Sequence, residues 1–582
     1  MTRMRRFGFL AACFVAACAP VHPPVAAPPP AQPTIAAPAA GAAQPVARPV
    51  AGVAAANPLA VDAGIEILRA GGRAIDAAVA IQAVLGLVEP QSSGLGGGGF
   101  LLYYEAATQK ITAFNGREAA PKGAAPGMFL DDRGEPLSYR DAVLSGRSTG
   151  VPGAIAALGA AHARFGALPW ARLFEPAIRD AEDGIAVPKR MARFLNGDSA
   201  QASQPDVRAL FSRPDGSPLQ AGDSFRNPAY AASLRAVAGA GPRALLLPPL
   251  RDAIIARTHA EPRPGTLAPA DFDAYQPVIS EPLCGPYLAF LVCVPPPPSS
   301  GVSLLQVLAI LDRTDIAARG AADPEAWYLF AMASRLMYAD RDQFVADPEF
   351  IPVPVRGMLE PHYISRRAAL IGALPGPAPA AGDPASIERG ADATIEAAGT
   401  SHFVVIDRHG DIVSMTTTVE SLFGSGRAVG GFMLNNQLTD FSYRPEVDGK
   451  PVANAVAGGK RPRSSMAPVI VLDASGRAVA ALGSPGSSSI LAYNAKTLVG
   501  LLAWKLPLQD AINLPNVVAR GDEYYGEASR LPPGVADALA ARGVVVKPGR
   551  GEESGLHGLV VGAGGHATGA ADPRREGVWK TP

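Results

Sequence analysis

Gly399-Thr400-Ser401-His402-Phe403-Val404-Val405-Ile406-Asp407 is the stretch on which the reading of this chain turns. The residues after Thr400 form a β-type run, and a second run, Ile412 to Thr418, follows it across Arg408-His409-Gly410. Folded about His409-Gly410, the two runs make a hairpin in which Thr400 and Thr418 are equidistant from His409. Residues directly opposite in such a pair carry Cβ atoms about 4.5–5.5 Å apart, so the two hydroxyls fall within reach of one another. A one-residue slip at a bulged turn would separate them. By itself, Gly-Thr before a strand signals only strand chemistry, because threonine is a common β-former. A threonine hydroxyl becomes a useful nucleophile when a base stands beside it. If the Gly399–Thr400 bond is cut, the new α-amine, with an ordinary pKa of about 8, is that base. Gly399 suits such a bond, since without a Cβ it permits a strained peptide and close approach of the hydroxyl.

Moving outward, Val469 to Leu472 and Val479 to Leu482 are further β-type runs. Helical spacing covers Pro58 to Ala70, Ile75 to Val88, Val151 to Arg164, Ser303 to Asp312 and Pro324 to Arg341. A Pro/Ala/Gly-rich stretch from Leu374 to Glu388 is expected to be exposed. The chain therefore divides into a helix-rich first part and a strand-rich last third, with the boundary just before Thr400.

With 582 residues, 48% of them hydrophobic and 18% charged, the chain can build a large buried interior. Lys+Arg and Asp+Glu are both 52, so nothing in its charge points to nucleic acid or to an anionic membrane surface. The N-terminus has the marks of an export signal over residues 1–17. Arg3, Arg5 and Arg6 precede an apolar run from Phe7 to Ala17 that is too short to span a bilayer. Val15-Ala16-Ala17-Cys18 resembles a bacterial lipobox. Either Cys18 is lipidated, or the signal is simply cleaved and Cys18 is incidental. Ala19 rather than Asp follows Cys18, which favours an outer-membrane anchor facing the periplasm. Residues 18–56, almost only Ala, Pro, Val, Gly and Gln, read as an extended tether. Cys284 and Cys293 are equidistant from Leu288-Ala289. A two-residue turn there would oppose them in a disulfide suited to an oxidising compartment. Leu-Ala is poor turn chemistry, so two buried free thiols are the alternative.

Other chemistries lack their signatures. Gly94 to Gly99 is glycine-dense, but no Gly-Lys-Ser/Thr follows, so close backbone packing is expected there rather than a phosphate loop. There is no His-Glu-x-x-His and there are no paired cysteines at ligand spacing, and no Gly-x-Ser-x-Gly or Ser-x-x-Lys context supports a serine hydrolase; no metal or cofactor is expected. His402 shares a face with Thr400 if the strand is regular, and is expected to be structural or orienting.

From Asn57 onward the chain resembles the γ-glutamyltransferase family of N-terminal-nucleophile hydrolases. The motifs that carry the likeness are Gly-Gly-Arg-Ala-Ile-Asp-Ala-Ala-Val-Ala (71–80), Leu-Gly-Gly-Gly-Gly-Phe (95–100), Gly116-Arg117-Glu118 and Pro-Pro-Pro-Ser-Ser-Gly (296–301). They continue with Leu-Asn-Asn-Gln-Leu-Thr-Asp-Phe (434–441), Arg-Pro-Arg-Ser-Ser-Met (461–466) and Gly-Ser-Pro-Gly (483–486). The resemblance implies an α/β, four-layer αββα sandwich of two autoproteolytic fragments, 57–399 and 400–582, held as a heterodimer. It further implies cleavage at Gly399–Thr400 and catalysis by Thr400. Arg117, Ser464 and Ser465 would hold a substrate α-carboxylate. Gln437 and Asp440 would hold the α-ammonium, and backbone N–H groups of Gly486 and Ser487 would form an oxyanion hole.

Three departures stand out. Glu420 replaces an Asn common near the amino group, and Ser487 stands where a second glycine is usual. The interval from Asp440 to Ser464 is shorter than in members with a lid loop, which leaves the balance of hydrolysis and transfer open. The expected activity is transfer of a γ-glutamyl group, from a small amide such as glutathione, to water or to an amino acid or peptide. The alternatives are a glutaryl or cephalosporin acylase on the same scaffold, and a surface lipoprotein that binds γ-glutamyl compounds without turnover.

Overall fold

The computed structural model describes residues 50–394, 396, 399–549, 554–562 and 564–582. The expected export signal, Cys18 and most of the expected tether lie outside these residues.

Two antiparallel sheets lie face to face. The first has seven strands, in the spatial order 578–580, 52–55, 400–406, 412–418, 98–105, 110–115 and 278–280. The second has six, in the order 567–571, 557–561, 478–483, 469–472, 290–294 and 283–287. Strand alternation divides each sheet between two cores. Val404 and Ile406 point inward with Leu102 and Ile412 to meet Ile470, Ala481 and Leu559 of the other sheet. Phe403, Val405 and Val413 point outward against helices Pro58–Arg69, Ala74–Val88 and Ala154–Phe165. On the far side, Val292, Val469 and Leu482 meet helices Gly301–Leu311, Pro324–Phe344 and Ile490–Leu498. This is the αββα sandwich, and both expected fragments supply strands to both sheets.

Local chemistry accounts for the helices. Asn57 accepts a hydrogen bond from Leu59 N at 2.9 Å, with Pro58 in the first helical position, and the chain leaves that helix near Gly71 at φ +93°. Helix Ala74–Val88 is buried on every side. Its Ala-rich surface lets it lie close to the sheet.

One expectation needs correcting. Ordered structure begins before Asn57, because Gly52–Ala55, inside the expected tether, is a buried strand between 400–406 and 578–580. Its small residues carry no strand signal alone. They fit because the Trp579 ring lies where a Gly52 Cβ would stand, 2.3 Å away. The first part is helix-rich, as expected, and it also gives the first sheet strands 98–105 and 110–115, the former paired with 412–418. The first of these runs straight out of the glycine-dense stretch. There a Cβ on Gly97 would stand 2.0 Å from Thr418 O, so the glycines allow close packing as expected. Cys284 and Cys293 are cross-strand partners joined by a disulfide. The turn between them does use Leu288-Ala289, with Leu288 in the left-handed region at φ +55°.

Candidate active site

Strands 400–406 and 412–418 pair in the unslipped register, with Thr400 opposite Thr418. A tight loop closed by Asp407 N to Asp411 O fixes that register, and Asp407 also accepts from the backbone N–H of His409 at 2.7 Å. Thr400 Oγ1 donates to Thr418 Oγ1 at 3.0 Å, and Thr418 Oγ1 donates to the carbonyl oxygen of Gly399 at 2.6 Å. The Glu420 N–H donates to the same Thr418 oxygen at 2.7 Å. Thr418 thus touches both the candidate nucleophile and the carbonyl of the candidate scissile bond. Gly399 is confined there. A Cβ on it would lie 2.5 Å from Ser421 C and 2.6 Å from Glu420 O. Arg575, far along the chain, donates to Thr400 O at 2.8 Å.

A cavity of about 20 Å³ opens beside Thr400, lined by Thr418, Arg117, Glu420, Gln437, Asp440, Ser464, Ser465 and Ser487 together with Glu396, Met466 and Ile490. The fold therefore gathers the residues singled out in separate motifs into one place. Their mutual contacts differ from the expected division of labour. Arg117 and Asp440, expected at opposite ends of one substrate, grip each other at 2.5 Å in this uncut chain. Arg117 also donates to the carbonyls of Arg463 and Pro462, at 2.7 and 3.1 Å. Gln437 donates to Asp440 at 2.8 Å. Glu118, beneath Arg117, has no hydrogen-bond partner for either side-chain oxygen among the described residues, and burial pushes its carboxyl up to about 8. Glu420 sits at φ +83° and accepts from Asn436 and, at 3.2 Å, from Tyr139.

Ser465 does hold a carboxylate, but one belonging to the chain. Its hydroxyl donates to Glu396 at 2.6 Å, and Arg341 donates to the other Glu396 oxygen at 2.6 Å. Arg463 adds a contact at 3.3 Å. Burial opposes ionisation of Glu396, yet Arg341 and Arg463 hold it well below the usual carboxylate range. Ser464 does not reach Glu396. Its side-chain oxygen accepts from Met466 N at 3.2 Å, and its carbonyl accepts from Ser300 N at 2.7 Å, so it ties the loop down.

Gly486 and Ser487 stand at the start of a short turn, at φ +129° and +59°. Ser487 therefore adopts the left-handed backbone that a glycine would enter freely, and its hydroxyl donates to Glu396 O. His402 points between the sheets, bonded through Nδ1 to Thr416 at 2.9 Å, and burial holds it neutral, with its pKa well below the ordinary value.

Sequence reading missed Glu396, Arg341, Asn436, Tyr139 and Arg575, and gave Arg463 no role. One signal was available: Arg463 directly precedes Ser464-Ser465, so a cation adjoins the hydroxyls assigned to a carboxylate. Asp340-Arg341, adjacent charges that lie buried on helix Pro324–Phe344, are a weaker one.

A family model described as Gamma-glutamyltranspeptidase matches residues 60–581. The chain is 34% identical over 507 residues to the glutathione hydrolase proenzyme of Bacillus subtilis (strain 168), covering 84% of each protein. It is also 34% identical over 530 residues to the acylase ACY 1 proenzyme of Pseudomonas sp. (strain V22), covering 90% of this chain and 92% of that one. In fold it is similar to the cephalosporin acylase from Bacillus halodurans, with a TM-score of 0.79 over 94% of this chain and 98% of that chain at 24% identity. With a model match over nearly the whole described chain, and with the Thr400–Thr418 pair and its surrounding motifs in one cavity, the chain belongs to the gamma-glutamyltranspeptidase family.

Proposed function

We propose that this protein is a proenzyme that cuts itself at Gly399–Thr400 and then, through Thr400, transfers the γ-glutamyl group of small amides such as glutathione to water or to amino acids. The observation that carries this reading is the Thr418 hydroxyl, which touches both Thr400 Oγ1 and Gly399 O.

In the uncut chain, Thr400 Oγ1 attacks the Gly399 carbonyl carbon while Thr418 donates to the oxygen that becomes negative. A C–O ester bond forms, the C–N bond breaks, and the Thr400 nitrogen takes the proton. Water then hydrolyses the ester, leaving a Gly399 carboxylate and a free Thr400 amine. That amine serves as the base in turnover. It takes the hydroxyl proton as Oγ1 attacks the γ-carbonyl of the donor, then gives it to the departing amine. The γ-glutamyl ester passes to water or to an acceptor amine by the same steps in reverse. Backbone N–H groups of Gly486 and Ser487 face the oxyanion in this reading.

Substrate selection follows from the Arg117–Asp440 pair. A zwitterionic α-amino acid can enter between them, its ammonium turned to Asp440, Gln437 and Glu420 and its carboxylate toward Arg117, Ser464 and Ser465. Every charge then keeps a partner, which a buried site requires. The acylase reading is favoured by the likeness to the acylase ACY 1 proenzyme and opposed by this acidic, ammonium-facing set. We further propose export to the periplasm, with a lipid anchor at Cys18 when the lipobox is used. Among the described residues no helix is long and apolar enough to cross a membrane. Mass analysis of the mature N-terminus tests the anchor.

Two chromogenic anilides test the activity. The cut protein should prefer the γ-glutamyl over the glutaryl anilide by at least about tenfold, or about 1.4 kcal/mol. Equal or better cleavage of the glutaryl anilide would hand the protein to the acylase reading.

A further inference from the structure

Strand 400–406 has a neighbour on each edge, but the two neighbours are not equally long. Strand 412–418 runs along one edge as far as Thr400 itself. On the other edge Gly52–Ala55 stops with Ala55 opposite Phe403. Among the described residues no strand continues there beside Thr400, Ser401 and His402. Arg575 takes that place. It lies on the connection between strands 567–571 and 578–580, is largely buried, and donates from Nη1 to Thr400 O at 2.8 Å.

The edge matters, because a residue in an extended strand carries its N–H and C=O on the same side. The nitrogen of Thr400 therefore leaves on the edge that Arg575 holds, and a free amine at Thr400 would emerge there. Arg575 also has a second neighbour. A Cβ on Gly555 would stand 2.4 Å from Arg575 Cδ and Nε and 2.8 Å from Pro485 Cγ, and the Gly555 N–H donates to Ser484 Oγ at 3.3 Å. Ser484 and Pro485 lead directly into Gly486 and Ser487. One guanidinium side chain thus stands between the backbone of Thr400 and the turn that carries the proposed oxyanion donors.

We propose that Arg575 is a positioning residue of the cut enzyme: it replaces the lost Gly399 peptide as the anchor of Thr400 and fixes the new chain end against the Gly486–Ser487 turn. This rests on the reading of the protein as a self-cleaving γ-glutamyl enzyme. In the uncut chain Thr400 is tethered through Gly399, itself confined against Glu420 and Ser421. After the cut Thr400 is a terminus, and termini fray unless they are tied down. A nucleophile has to be held within about 0.5 Å of its productive position. Arg575 should therefore matter more for turnover than for cleavage.

The test uses the full chain with Arg575→Met, which keeps an apolar stem beside Gly555 and loses the donor. On a timed denaturing gel this variant should cut itself within about threefold of the wild-type rate. In the cut protein its kcat for the γ-glutamyl anilide should fall at least about tenfold, with KM within about twofold. Arg575→Lys, which can still donate, should lose only about threefold in kcat. A merely structural role would slow cleavage and turnover together, and that result overturns the proposal, as does a wild-type kcat in Arg575→Met. If Arg575→Met does not fold, Arg575→Lys decides: an unaltered kcat overturns the proposal. A wild-type protein that is cut but prefers the glutaryl anilide ends the γ-glutamyl reading alone. The same loss of kcat, read on that anilide, then upholds Arg575. A wild-type chain that is never cut overturns both.

Discussion

Thr418 stands directly opposite Thr400 on the neighbouring antiparallel strand, and its hydroxyl accepts from Thr400 Oγ1 at 3.0 Å while donating to Gly399 O at 2.6 Å. One side chain thus touches both the candidate nucleophile and the carbonyl it would attack. Purified wild-type protein should give two fragments, the smaller beginning Thr-Ser-His-Phe, and Thr400→Ala should remain one chain. Thr418→Val should slow cleavage by about a hundredfold, the scale of losing one oxyanion donor, and Thr418→Ser should restore it. A denaturing gel over time with N-terminal sequencing reads all three. Normal cleavage of Thr418→Val would remove Thr418 from the mechanism.

The Arg117–Asp440 pair is buried, so deleting either partner should cost about 3–5 kcal/mol in folding or in donor binding. Arg117→Ala is expected to self-process yet lose most activity on γ-glutamyl anilide. Asp440→Asn should narrow the preference for γ-glutamyl over glutaryl anilide, chiefly by weakening the γ-glutamyl donor. Steady-state kinetics on the two anilides separates the effects.

Ser487 holds φ +59°, a conformation that glycine enters freely and β-branched residues resist. Ser487→Gly should therefore process and turn over near the wild-type level. Ser487→Val should cost about 1–3 kcal/mol and lower kcat by displacing the neighbouring N–H groups. Thermal unfolding together with kcat measures both consequences.

His557 lies in the interior with neither ring nitrogen hydrogen-bonded among the described residues, and burial pushes its pKa down from 6.5 to about 3. Between those values the unfolded chain binds a proton that the folded one does not. Stability should therefore fall as pH drops through that window, at up to about 1.4 kcal/mol per pH unit for this residue. His402, shifted in the same direction by the same cause, adds to the slope. In the uncut Thr400→Ala background, His557→Leu should flatten the pH profile of denaturant unfolding between about pH 6 and about pH 4. An unchanged slope would mean that His557 does not titrate in this way.

The hairpin that carries Thr400 is legible in the order of its residues, because its register depends on strand alternation and a loop of fixed length. The helices with clear ends are equally legible, since caps such as Asn57-Pro58 act within a few residues. The strand at Gly52–Ala55 is not. Gly, Val and Ala there have no pattern of their own, and only a place between two other strands makes them β. The same limit applies at the site. The motifs make Arg117, Gln437, Asp440 and Ser465 candidates, but they do not reveal their partners. Arg117 meets Asp440 across 323 residues, Arg575 reaches Thr400 O across 175, and Arg341 meets Ser465 across 124. The pairing of Thr400, the candidate nucleophile, with Thr418 was determined by sequence alone, because both sit on one hairpin. Which cation holds which carboxylate, with Glu396 on Arg341 and Asp440 on Arg117, was decided only by the stacking of the sheets, because burial removes the water that would otherwise let each charge stand alone.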